Sequence, residues 1–307
     1  MPENNQHYYS LNSFFKYKFG QKVIKLSLDG GFTCPNRDGK ISRTGCIFCS
    51  AKGSGDFAAK RTQSISEQIE SQKELLSKKW PKALYIAYFQ AFTNTYAPVE
   101  VLESKYREAI SQKDIVGLDI ATRPDCIDEN IVNLLKEISK ETYVCVELGL
   151  QTSNEKTAEI INRGYKNIVF ENTVKLLNSA GIDTVCHIIL NLPGENYLDM
   201  LNSVNFACSC GIKGIKLQML NILKGTPLEE MYLKEPFKLF TLDEYTDAVT
   251  DLIEYIPKNV VIHRLTGDGP KDILIEPKWI LNKRLVLNTI TKKLNEKNIV
   301  QGRYSIY

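Results

Sequence analysis

Short runs of β-branched and other apolar residues alternate along this chain with longer stretches whose apolar positions recur every three or four residues. The short runs predict strands at Val23–Leu28, Ala83–Phe89, Val116–Thr122, Tyr143–Leu150, Thr184–Leu190 and Gly214–Met219, with a seventh candidate at Val260–Leu265. The longer stretches predict helices at Ser66–Lys79, Val99–Gln112, Glu129–Ser139, Asn154–Asn162 and Phe170–Ala180. Asp128 is the expected N-cap of the third, and Gly181 the stop of the fifth. Strand followed by helix is the rhythm of βα units around a parallel sheet, so the fold class is α/β. Six or seven such strands fit a partly or nearly closed barrel. No linker rich in Pro, Gly or Ser divides the chain, and a single domain over 1–307 is expected.

In a barrel of this kind, function gathers on the loops after the C-terminal ends of the strands. The residues with chemical potential fall there. Cys34-Pro-Asn-Arg follows the first strand, Gln90-Ala-Phe-Thr-Asn-Thr the second and Thr122-Arg-Pro-Asp the third. Gln151-Thr-Ser follows the fourth and Asn191-Leu-Pro-Gly-Glu the fifth.

Composition narrows the setting. With 43% apolar and 24% charged residues the chain can bury a substantial core. No run approaches the roughly 18 apolar residues of a spanning helix, and MPENNQHYYS lacks the pattern of a secretory leader, so no membrane partner and a cytoplasmic location are expected. Eight cysteines spread over a long chain of this kind read as thiols or metal ligands rather than disulfides. The net charge of +3 does not announce a nucleic-acid binder, but its distribution is uneven. Lys16, Lys18, Lys22 and Lys25 stand together without an acid, and residues 276–307 carry seven Lys or Arg against two Glu.

The segment GGFTCPNRDGKISRTGCIFCS places Cys34, Cys46 and Cys49 in one loop as C-x11-C-x2-C. A C-x2-C pair puts two sulfurs on one metal centre, and a third cysteine in the same loop adds another ligand. Zinc is the alternative to a cluster, but structural zinc closes its shell with four protein ligands. His7, His187, His263 and Cys126 all lie far from the loop in sequence. Three thiolates with one position open therefore favour a [4Fe–4S] cluster that chelates a further ligand on its fourth iron. Cys126, Cys145, Cys186, Cys208 and Cys210 show no ligand pattern beyond the C-x-C of the last two, and are expected as core thiols rather than a second cluster.

The three-cysteine loop ending in Cys-Ile-Phe-Cys on a βα barrel resembles the radical S-adenosylmethionine (SAM) superfamily. The branch is that of the Elongator catalytic subunit and the oxygen-independent coproporphyrinogen dehydrogenases. Within it, KVIKLSLDGGFTCPNRDG, YFQAFTNTYAP, IATRPDCI, VELGLQTSNEKTAEIINRGY, HIILNLPGE, LKGTPL and HRLTGDGPKDILIEPKWILNK resemble the bacterial YhcC and YtqA group over nearly the whole chain. The resemblance implies a radical SAM partial (β/α)6-type TIM barrel with short N- and C-terminal extensions. Its core would span about 20–225 and its C-terminal extension about 226–307. It implies a [4Fe–4S] cluster on Cys34, Cys46 and Cys49, and SAM as cofactor.

Residue by residue, the resemblance makes Phe48 the aromatic beside the adenine, and Gln151 and Arg163 contacts to SAM. A guanidinium suits a carboxylate because its fork matches two oxygens. Glu147, if it points inward, would accept from the ribose or from substrate. His187 stands where relatives carry an acid for the ribose. Three departures stand out. Gln90-Ala91-Phe92-Thr93-Asn94 replaces the usual Gly-Gly-Glu turn for the SAM amine, leaving Thr93 or a backbone carbonyl to serve. Ala121 replaces a Glu, and Asn191 replaces the Gly of Gly-Leu-Pro-Gly.

The group is associated with tailoring the C5 side chain of wobble uridine, so the expected macromolecular partner is tRNA. The reaction would process a carboxymethylaminomethyl group toward an aminomethyl one, with an electron donor such as flavodoxin or ferredoxin. The basic stretches 16–25 and 276–307, with Tyr17, Trp279 and Tyr304, are the expected phosphate and base contacts. Two other readings compete: a radical SAM enzyme acting on a small metabolite or porphyrin, and a non-enzymatic iron–sulfur or zinc protein that binds RNA.

Overall fold

The computed structural model describes residues 7–307, so most of the stretch read for a leader lies outside the described residues. Its centre is one parallel sheet of seven strands. These are β1 (Val23–Leu28), β2 (Leu84–Phe89), β3 (Ile115–Thr122), β4 (Tyr143–Gln151), β5 (Asp183–Leu190), β6 (Gly214–Met219) and, past a short β7 (Ile222–Leu223), β8 (Val261–Arg264). Neighbours in the sheet follow chain order from β1 to β6, and β8 then pairs with β6 in parallel. The seventh candidate is therefore a full member of the sheet. A separate antiparallel pair joins β7 to β9 (Leu274–Glu276).

Helices cover the outer face. They are α1 (Leu11–Phe19), α2 (Ile65–Ser77), α3 (Val99–Ile110), α4 (Glu129–Ser139), α5 (Glu155–Ile160), α6 (Asn167–Ser179), α7 (Tyr197–Ser209), α8 (Pro227–Lys234), α9 (Leu242–Ile253) and α10 (Lys283–Glu296). Their starts are chemically marked. Ser64 and Glu67 form a reciprocal capping box on α2, and the Asp128 carboxylate accepts from Ile131 N at the head of α4. Asn154 caps α5 and Asn196 caps α7 in the same manner.

Leu26, Leu28, Ala87, Phe89, Leu118, Ile120, Val146 and Leu148 are fully buried in the main core cluster. Alternate positions along β1 to β6, among them Lys25, Tyr88, Asp119, Glu147, His187 and Lys216, turn to the barrel interior and are polar. The barrel's lower end is plugged by α1, whose Leu11, Phe14, Phe15 and Phe19 pack with Val23, Leu84, Val116 and Tyr143 at the strand starts. The chain just before α1 lies on β8: Ser10 bridges Ile262 in parallel, and Ile262 N donates to Tyr9 O at 2.8 Å. Gln301 ties in the C-terminal segment, its side chain accepting from Tyr9 N at 2.7 Å and its N–H donating to His7 O at 2.9 Å.

Candidate active site

The loop from β1 to α2 carries the three thiols and is sewn to the turn between α5 and α6. Asn162 Nδ2 donates to Gly45 O at 2.7 Å, and Asn36 Nδ2 donates to Asn162 O at 2.7 Å. Ile47 N donates to Ile161 O at 3.1 Å, while Ile47 O receives Leu228 N at 3.0 Å. Arg37 crosses the loop and donates to the carbonyls of Cys49 and Ser50 at 2.9 and 2.7 Å. Gly45 and Gly53 both have positive φ, and a Cβ at Gly53 would sit 2.4 Å from the Phe92 ring. Phe92 itself holds a φ of 61°, pinned by its N–H to Gly53 O at 2.8 Å and by Arg37 and Arg61 over its ring.

The thiols are chemically prepared for a metal centre. Asn36 Nδ2 donates to Cys46 Sγ at 3.6 Å, and Ser54 Oγ lies 3.7 Å from Cys49 Sγ. The Cys49 thiol is drawn down to about 6 by its hydrogen bond with Cys46, with Ser54 and Arg37 adding to the effect, while Cys46 is pushed up by the same bond and by burial. The pair thus holds one proton between two sulfurs, and ligation of a metal centre would displace it to leave both as thiolates. Among the described residues, no three His, Cys, Asp or Glu side chains gather as a single metal ion demands. Three thiols on one cavity wall match the three protein ligands of a [4Fe–4S] cluster, whereas structural zinc takes four protein ligands.

All three thiols line a cavity of about 480 Å³ that descends into the barrel. That lies within the roughly 300–1,000 Å³ usual for ligand sites. Tyr88, Glu147, His187 and Lys216 line its floor, and Lys25, Asp119 and His263 complete a polar ring behind them. Glu147 of β4 is the hub and is wholly buried. It accepts from Lys25 Nζ at 2.8 Å, Tyr88 Oη at 2.7 Å and His187 Nε2 at 2.8 Å, and also from Lys216 Nζ. Lys25 donates to Asp119 as well, and His263 Nδ1 lies 3.9 Å from Glu147.

Burial opposes each charge in the ring, and the pairing decides which survive. Burial would raise Glu147, yet Lys216, Lys25 and His187 hold it well below the usual carboxylate range. Burial brings Lys216 down to about 8 against the attraction of Glu147. Burial, with Glu147 beside it, pushes Asp119 up to about 7. His187 is held down at about 4 by burial and by Lys216, so its ring is neutral. Since ionised Glu147 only accepts, the His187 proton belongs on Nε2.

The structure brings Phe48, Gln90, Thr93, Gln151, Arg163 and His187 to the cavity wall together with the thiols and Glu147. Two expected contacts are elsewhere. Asn94 is buried beneath the wall, its amide donating to Phe89 O and Ala121 O at 3.1 and 2.7 Å, which locks the ends of β2 and β3. Asn191 holds a φ of 63°, the left-handed backbone that explains a Gly in relatives. Its amide is spent on Lys238 O at 3.2 Å and Phe240 N at 2.7 Å. Arg163 reaches the wall but its fork is committed to Leu150 O, Thr152 O, Tyr165 O and Asn167 Oδ1, at 2.7 to 3.0 Å. A guanidinium so engaged braces the loop after β4 instead of offering a free fork.

Tyr88, Asp119, Lys216 and Tyr165 join the site without having been candidates in the sequence, and Arg123 of the Thr122-Arg-Pro-Asp loop joins them. Tyr165 lies between two guanidinium groups, 4.9 Å from Arg123 and 4.6 Å from Arg163, while Arg123 chelates Asp125 and donates to Arg163 O at 2.8 Å. The signal for the ring was present as a charge or hydroxyl inside each apolar strand, a position that must find a partner.

The basic stretches are placed differently from expectation. Lys16 and Lys18 belong to α1, at the end of the barrel opposite the thiols, and Lys25 is an interior member of the ring. On α10, Lys293 pairs with Asp243 and Asp247, and Lys297 beyond it pairs with Asp247 and Asp251. Trp279 is not free for a base: its Nε1 donates to Phe240 O at 3.0 Å and its ring packs on Tyr245. Of the remaining cysteines, Cys145, Cys186, Cys208 and Cys210 are buried thiols, and Cys126 is half-buried with its pKa pushed up to about 12 by burial.

A parallel barrel with three thiols at its mouth, opening onto a ligand-sized cavity, defines an enzyme built around a metal centre with room for a second cofactor. The chain belongs to the radical SAM superfamily, whose description matches residues 34–207, and a Radical_SAM C-terminal domain matches residues 212–296. It is 44% identical over 297 residues to protein YtqA of Bacillus subtilis, covering 97% of this chain and 92% of that one. It is 38% identical to protein YhcC of Escherichia coli, covering 93% and 91%. Among solved structures, the archaeal Elp3 of Methanocaldococcus infernus shares the fold with a TM-score of 0.69 at 16% identity, over 92% of this chain and 64% of that one. The family uses a [4Fe–4S] cluster and SAM, and this chain is a radical SAM enzyme. No helix among the described residues is long and apolar enough to cross a membrane.

Proposed function

We propose that this enzyme acts on tRNA, at the C5 side chain of the wobble uridine, converting a carboxymethylaminomethyl group toward an aminomethyl one. The observation that carries the reading is the likeness to YtqA along 97% of the chain, which makes the expected substrate of that group the first to test. The cavity supports it, because its polar floor offers donors and an ionised carboxylate to a polar side chain reaching down past the thiols. The eight free thiols agree with a cytoplasmic setting.

In this reading Cys34, Cys46 and Cys49 hold the cluster, and Arg37 and Asn36 fix the loop around it. When bound, the cofactors supply one electron and the abstraction of a hydrogen atom from substrate. Phe48, Gln90, Thr93, Gln151 and His187 line the chamber in which SAM would lie and keep bulk water from it. Arg163 positions the loop bearing Gln151 rather than gripping a carboxylate itself. Glu147 holds a negative charge at the floor, and Lys216 Nζ, at about 8, is able to give up or take a proton near neutrality.

Two measurements test the reading. Bulk tRNA from cells lacking the protein should accumulate the carboxymethylaminomethyl nucleoside at the expense of the aminomethyl one. Purified anaerobic enzyme should release more 5′-deoxyadenosine when such tRNA is added. Unchanged nucleosides, with SAM cleavage stimulated instead by a small metabolite or porphyrin, would refute the tRNA assignment.

A further inference from the structure

The cations of this molecule divide into those already neutralised and those left open. On α10 and beyond, Lys283, Lys293, Lys297 and Arg303 pair with Asp268, Asp243, Asp251 and Glu254. The loop from β1 to α2 is different. Its Lys40, Arg43, Lys52, Lys60 and Arg61 are exposed, and none forms an ion pair among the described residues. One nearby acid is occupied, since Asp56 takes the Ser50 hydroxyl on both oxygens.

The two halves of this loop border different hollows. Lys40 and Ile41 edge a separate cleft with Tyr96 and Cys126. Gly53, Ser54, Asp56 and Phe57 line the thiol cavity itself. Lys52 and Lys60 flank that lining stretch, Arg61 being spent on Gly31 O, Phe32 O and the Phe92 ring, and Phe57 is 54% exposed while touching the cavity. Open cations beside an exposed ring at a cavity entrance suit a strand whose phosphates are held outside while one base is unstacked and passed inward.

We propose that residues 52–61 form the lip that grips RNA, with Lys52 and Lys60 on phosphates and Phe57 stacked on a nucleotide beside the one that enters. The proposal rests on the tRNA reading above and moves its contact surface away from residues 16–25 and 276–307. An acidic electron-carrier protein is the rival occupant. The lip favours RNA because it borders the opening through which substrate must pass, and because its cations are strung along a loop rather than set around an apolar patch.

The test is tRNA affinity of the anaerobic holoenzyme across a salt series. Lys52→Glu/Lys60→Glu should weaken binding at least tenfold at low salt and reduce the slope of log K against log salt by about 1.4, at roughly 0.7 per phosphate contact. Lys52→Gln/Lys60→Gln should lose affinity in the same direction but less, and Phe57→Ala should lose at least fivefold. Lys16→Glu/Lys18→Glu, the same charge change at the opposite end of the barrel, should change affinity less than twofold. Equal losses from both Glu pairs would overturn the lip, as would wild-type affinity in the lip variants. Lip variants that bind tRNA normally but accept electrons slowly from reduced flavodoxin would assign the surface to the carrier instead. A wild-type enzyme with no salt-dependent affinity for tRNA would overturn the substrate reading along with the lip.

Discussion

Replacing Glu147 by Gln keeps the shape of the side chain and removes the one full negative charge on which four donors converge. Lys25 keeps Asp119, but Lys216 is left in a buried site facing an amide. Breaking a buried ion pair from one side costs about 3–5 kcal/mol. With an unfolding entropy of roughly 2 cal/mol/K per residue, a chain of this length should lose about 5–8 °C in melting temperature. Lys216→Met is milder, about 1–2 kcal/mol, because Glu147 retains Lys25, His187 and Tyr88. The double variant Glu147→Gln/Lys216→Met should fall short of the summed losses by about 1–3 kcal/mol, since neither partner is then stranded. Calorimetry of the four anaerobic proteins completes the cycle. A loss under about 1 kcal/mol for Glu147→Gln, or additivity within about 0.5 kcal/mol, would show that the ring is not a coupled ionic network.

Cys46→Ala should abolish iron and sulfide retention and SAM cleavage together; a colourless wild-type protein with stoichiometric zinc would refute the cluster. Arg163→Lys should lower the melting temperature, because one ammonium cannot serve the carbonyls of Leu150, Thr152 and Tyr165 at once; unchanged thermal unfolding would deny the bracing role. His187 has a folded pKa of about 4 against 6.5 for the free side chain, so the unfolded chain binds more protons between those values. Its contribution to stability is therefore complete above 6.5 and declines as the pH falls toward 4, and His187→Gln should flatten the acid limb of stability against pH. An identical acid limb in both proteins would contradict a neutral buried imidazole.

The strand pattern was legible because each outer face of the barrel must be apolar to receive a helix, and Leu26, Leu28, Leu118 and Ile120 announce this directly. The cysteine loop was legible through spacing alone. The polar ring was not, because Lys25, Asp119 and Lys216 come from strands far apart in sequence and meet only when the sheet curls. Lys25 shows the cost of reading charge locally: beside Lys16, Lys18 and Lys22 it looks like surface, yet strand alternation turns it inward. Asn94 and Asn191 illustrate the converse. The resemblance placed both at the cofactor, yet the side-chain amides of both are engaged by main-chain groups that no sequence spacing reveals.

The join between the first strand and the last depends on a short piece of chain. Tyr9 and Ser10 lie along β8 just before α1 turns under β1, like the fastening on a barrel hoop. Removing Tyr9 and Ser10 would strip β8 of the hydrogen bond at Ile262 and unseat α1 from the strand starts, so the staves would loosen from that edge.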